Sequence, residues 1–137
     1  MLTNAAADYL PVVVAGFVSV PVGMLWFSPT MFGKPWMRMT GIRSDAMKAG
    51  AGGSAFGVSL MSALVMSFVL WVLMGVMGLT TLPTAWSIAV LLWLSFDFLP
   101  SFTHSLFARK PFPLLLINTG YELVNALLMA TIFTYWR

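Results

Sequence analysis

Four long apolar runs, at residues 9–27, 55–79, 85–106 and 113–136, constrain this chain more than any other feature. A bilayer core about 30 Å thick needs roughly 20 apolar residues per helical crossing, and each run is near that length. Together they take up most of the 137 residues. Composition agrees: 60% of the chain is hydrophobic and 8% is charged, a balance foreign to a water-soluble domain. One such run has a rival reading as the buried helix of a soluble protein. Four in succession do not. A β-barrel would show segments of alternating polarity, and none occurs. The expectation is an all-α, integral membrane four-helix bundle. It forms a single transmembrane domain over 1–137, with no soluble domain attached. The opening Met-Leu-Thr-Asn has no basic segment and no small-residue cleavage site, so the first run reads as a retained helix rather than a signal peptide.

The basic residues set a topology. Lys34, Arg38, Arg43 and Lys48 fall in loop 28–53, Arg109 and Lys110 fall in loop 107–112, and only Arg137 lies elsewhere. Basic residues concentrate on the cytoplasmic side of membrane proteins. Both loops are therefore expected to face the cytoplasm, with both termini on the non-cytoplasmic side of a bacterial inner membrane. Tyr9, Trp86, Tyr135 and Trp136 sit at the outer ends of the runs, and Trp26 and Trp36 near the cytoplasmic ends, as interfacial aromatic belts would. The net charge of +3 is too thinly spread, and too close to lipid, for a nucleic-acid face. The basic residues and Trp36 are read instead as contacts to lipid headgroups. Lys34 and Arg38, four apart, share a helical face, with Trp36, Met37 and Met39 free to enter lipid as a short interfacial helix. The plainer alternative is a basic loop that only fixes topology.

Small residues mark helix contact faces, because lipid supplies no hydrophobic drive between helices. The first run carries Ala15, Ser19 and Gly23 at intervals of four, and Pro21 is expected to kink it. The second opens on a GxxxG, Gly53 to Gly57, beside a four-residue ladder of small residues through Ala51, Ala55, Ser59, Ala63 and Ser67. The partner is either another helix of this chain or another subunit. The chain is thus a candidate homo-oligomer or a subunit of a larger membrane complex.

The last two runs contain ionisable groups. Asp97 and His104 are seven apart, nearly on one face of a straight helix, with Ser101 between them. Asn118, Glu122 and Asn125 form one stripe on the final run. Asp97 lies ten residues before the third loop and Glu122 ten after it, so both sit about 15 Å deep, near the midplane. Two carboxylates in apolar surroundings cannot both stay ionised cheaply, so they are expected to share a proton, with Asn118 or Asn125 as a further partner. An intramembrane ionisable residue is a functional candidate. The alternative is that these groups only bond the hairpin together.

Several segments resemble the signature of the DUF1761 family, small bacterial membrane proteins of unknown function. They are Trp26-Phe-Ser-Pro29, Phe32-Gly-Lys34, Trp36-Met37, Gly41-Ile42, His104-x-x-Phe107 and Ile117-Asn-x-Gly-Tyr121. The family pattern often has Tyr where this chain has Phe27, which removes one hydroxyl. The resemblance implies a four-helix integral membrane protein and supplies no activity.

No catalytic motif is present: there is no phosphate loop, no nucleophile elbow and no cluster with metal spacing, and without cysteine there is no thiolate site. The expectation is a protein that is not an enzyme and needs no cofactor or metal. Three functions compete. The first is an accessory or self-associating subunit packed through the small-residue face of the second run. The second is a proton-linked carrier or pore for a small solute that uses Asp97 and Glu122. The third is a pigment- or haem-associated subunit with His104 as a single ligand.

Overall fold

The computed structural model describes residues 9–41 and 52–136, with 52–54 as backbone only. All regular structure among these residues is helical. Helix α1 spans Leu10–Trp26, α2 Gly33–Thr40, α3 Gly52–Val76, α4 Leu82–Phe107 and α5 Phe112–Trp136. Three of them, α3, α4 and α5, are long and apolar enough to cross a membrane. Helix α1 is a shorter apolar helix of 17 residues and continues through Pro21.

Helix ends follow local chemistry. Gly78 adopts a left-handed conformation, φ 64°, and the Leu79 amide donates back to the Met74 carbonyl at 2.9 Å. That glycine turn stops α3 three residues before the expected 79. Pro83 lies in the first turn of α4, where its missing N–H costs nothing, so α4 starts three residues before the expected 85. Loop 28–53 is not uniformly irregular. It contains α2, closed by Gly41 at φ 72°.

Helix α5 is the central post: 39% of its apolar stretch is buried, against 17% for α3 and 11% for α4. Helices α1 and α4 pack along it, α3 packs mainly on α1, and α3 and α4 make no extensive contact with each other. The core lies near the α3–α4 turn, where Leu70 and Met74 meet Ala85, Ala89, Ala126, Met129, Ala130 and Phe133. Away from that turn α3 and α4 part, and α5 forms the floor between them.

The small-residue ladder divides. Ser67 is fully buried and donates to the Val12 carbonyl of α1 at 2.8 Å, and Ala63 is half-buried. Ser59 is exposed, and a Cβ at Gly57 would meet nothing within 4 Å. A four-residue repeat drifts by about 40° per step on an α-helix, so one ladder cannot stay on one contact. Of Gly53 only its place in α3 is described. On α1, Ala15 and Ser19 are buried and Gly23 lies under the Tyr121 hydroxyl, where a Cβ would stand 2.9 Å from it. Helix α1 also approaches α3 closely at Gly16, whose missing Cβ leaves room for Leu64.

Candidate functional site

Helix α4 changes its winding at Leu94–Phe98, where one π-turn replaces the α-turn. Pro100 explains it. Proline offers no N–H to the Phe96 carbonyl four residues back, and its ring crowds that carbonyl. The chain adapts with a wider turn, in which the Leu99 amide donates to the Leu94 carbonyl, five residues back. Rings follow the new register: Trp93 and Phe98, five apart, have centroids 5.2 Å apart, and Phe98 then stacks on Phe102, four on, at 6.0 Å. Trp93 pins the turn by donating its indole N–H to the Thr119 carbonyl of α5 at 2.7 Å.

Asp97 sits in this π-turn. It lines a cavity of about 750 Å³ between α3, α4 and α5, together with Glu122 and Asn125. The two carboxylates are close enough to act on each other electrostatically. Ser101, one turn on, is within hydrogen-bonding reach of the Asp97 carboxylate. The Asp97 Oδ2 atom is buried without a hydrogen-bond partner among the described residues. Asn125 is 4% exposed. Ser59 and Ser62 on α3 and Tyr121 on α5 add polar atoms to an otherwise apolar lining. The cavity is a groove rather than a closed chamber, because Val58, Ser62 and Phe96 at its lips are exposed.

Two residues expected in this cluster lie elsewhere. His104 is exposed and outside the groove lining. It lies seven residues beyond Asp97, about 10 Å further along α4, towards the Arg109 turn. Asn118 is also outside the groove. It is exposed and accepts a hydrogen bond from the Trp36 indole at 3.1 Å, so it faces α2. Trp36, expected at the headgroups, ties α2 to α5. Lys34, Arg38, Arg109 and Lys110 are exposed at the same end of the molecule. Arg43 and Lys48 lie outside the described residues.

Sequence reasoning missed how the tryptophans act. The Trp26 indole donates to the Ile117 carbonyl at 2.9 Å, Trp36 to Asn118, Trp93 to Thr119, and Trp86 to the Thr131 hydroxyl at 2.9 Å. Four indoles on three elements thus grip α5. Tyr121 completes the junction, donating to the Ser19 carbonyl of α1 at 3.0 Å and meeting Phe27 edge-on at 5.4 Å. The signal was present as two motif segments, Trp26 to Trp36 and Ile117 to Tyr121, that have no reason to be spelled so closely unless they touch. Within the first segment Gly33 makes the turn possible, since its Cα lies against the Phe27 and Ser28 carbonyls with no room for a side chain.

No curated protein and no solved structure matches this chain. The profile of the family described as "protein of unknown function (DUF1761)" matches residues 10–134, which contain both motif segments, the π-turn and the groove. With that match covering nearly its whole length, the chain belongs to the DUF1761 family.

Proposed function

We propose that this protein is a small, non-enzymatic subunit of the bacterial inner membrane that associates with itself through the first half of α3. The observation that carries the reading is the contrast along that helix. Its second half is packed against α1 through Ser67, whereas at Gly57 a Cβ would meet no neighbour. In lipid, a small-residue surface left bare permits close approach of another backbone and gains van der Waals contact there. In this reading α1, α3, α4 and α5 form a four-helix bundle. The basic end, with α2 and the Arg109 turn, faces the cytoplasm under the positive-inside rule.

The test is mass determination in nanodiscs or mild detergent. The expected result is a dimer or higher assembly, shifted to monomer by Gly57→Ile, with helicity and melting unchanged because the added side chain meets nothing within one chain. A monomer at all concentrations, with no co-purifying membrane protein, overturns the reading.

A second reading, a proton-linked carrier, draws support from one observation: Asp97 and Glu122 line the same lipid-side groove. In reconstituted vesicles Asp97→Asn with Glu122→Gln should then abolish proton-coupled solute flux. Unchanged flux counts against it.

A further inference from the structure

The groove between α3 and α4 combines an apolar body with an acidic floor. None of its lining residues is basic, so neither carboxylate meets a cation of this chain there. Asn125, 4% exposed, lines the same cavity, and the Asp97 Oδ2 atom is buried with no hydrogen-bond partner among the described residues. A buried carboxylate oxygen without a partner is costly to maintain. That cost falls if a hydrogen-bond donor carrying positive charge occupies the groove.

We propose that the groove binds a lipophilic amine: a protonated ammonium head on a flat, apolar or aromatic body. The head lies among Asp97, Glu122 and the Asn125 carbonyl oxygen, where its N–H groups donate and its charge is complemented. The body lies against rings. Trp93 has committed its N–H to Thr119, and Tyr121 its hydroxyl to Ser19, so each brings aromatic surface to the groove lining. Such faces attract cations and flat apolar groups alike. A cavity of about 750 Å³ is of the size that holds one drug-sized molecule. The exposed lips at Val58, Ser62 and Phe96 leave a side entrance from the bilayer, where an amphiphilic amine concentrates. The lining includes Val58 and Ser59, so the mouth of the groove borders the face at Gly57.

The test uses the full chain in phosphatidylcholine nanodiscs, with no anionic lipid to attract the probe. The probe is 1-pyrenemethylamine, and its neutral match is 1-pyrenemethanol. The readout is saturable quenching of tryptophan fluorescence above the quenching caused by partition into the lipid alone. The amine is expected to saturate with at least tenfold higher affinity than the alcohol. Asp97→Asn with Glu122→Gln should weaken the amine at least tenfold and leave the alcohol unchanged. Ser62→Trp, which fills the groove from its lip without touching the acids, should block both. Equal binding of amine and alcohol to the unaltered protein overturns the proposal, whether or not any variant folds. So does amine binding that survives both sets of substitutions. If the amine binds while the protein is monomeric, the proposal stands and the self-association reading falls.

Discussion

Gly33 shows how a single missing side chain decides a local fold here. A methyl group at that position would run into the Phe27 and Ser28 carbonyls, which are backbone and cannot rotate away. Gly33→Ala is therefore expected to cost ~1–3 kcal/mol, as overpacking does, and to loosen α2. Denaturant unfolding followed by tryptophan fluorescence measures it, and an unchanged midpoint would mean that the turn is not held by this close approach. Arg109 is the opposite case. It adopts φ 54° at the end of α4, a conformation that suits glycine, while the Lys110 amide closes the turn on the Ser105 carbonyl at 3.0 Å. Arg109→Gly should raise stability by ~0.5–1 kcal/mol, the left-handed strain less the added freedom of the unfolded chain. Thermal melting tests this, and a loss of stability would show that the guanidinium contributes more than the strain costs. Trp36 and Asn118 can be tested as a pair. A double-mutant cycle with Trp36→Phe and Asn118→Leu should return a coupling of ~0.5–1.5 kcal/mol, the net value of one hydrogen bond. No coupling would mean that α2 does not dock on α5 through these groups.

Among the elements, α4 carries the most consequential departure from regular geometry. Its apolar run was legible, because 26 residues of high hydropathy leave few alternatives to a crossing helix. The π-turn was not, although its cause, Pro100, stands three residues after Asp97. Proline in an apolar helix has several outcomes, including a kink, a break or a wider turn, and the choice depends on which neighbour fixes the carbonyls. Here Trp93, at the start of the turn, holds α4 to the Thr119 carbonyl of α5. Pro100→Ala restores the missing N–H and should let the turn relax to α-geometry. The variant is expected to be more stable by ~3 kcal/mol, the cost of a helix-interior proline, and to bind 1-pyrenemethylamine more weakly because Asp97 turns away. A variant that is no more stable, or that binds equally well, would separate the π-turn from Pro100 or from the groove. In α3 the small-residue ladder was legible as a repeat, but not its division between α1 and open surface. The four-residue spacing is visible in the chain, whereas its drift matters only once a neighbour's position is known.

At the scale of the whole molecule, three membrane-length helices and the shorter α1 gather round α5, which takes hydrogen bonds from four tryptophan indoles. Depth was readable by counting residues from the α4–α5 turn, because an antiparallel hairpin puts equal counts at equal heights. That count brings Asp97 and Glu122 to one level, and both line one groove. What counting does not reveal is lateral position, and Asn118 shows it: one turn from Glu122 along α5, it faces α2 instead. The central claim is that the two carboxylates meet across the α4–α5 hairpin within a single chain. The absence of native cysteine makes a direct test clean. Cysteines at 97 and 122, oxidised in intact membranes, are expected to give a linked species at monomer mass, as the control pair at 36 and 118 should. If the control pair links while 97 and 122 stay free, or link only between copies, the hairpin does not bring its acids together and the acidic floor of the groove does not exist.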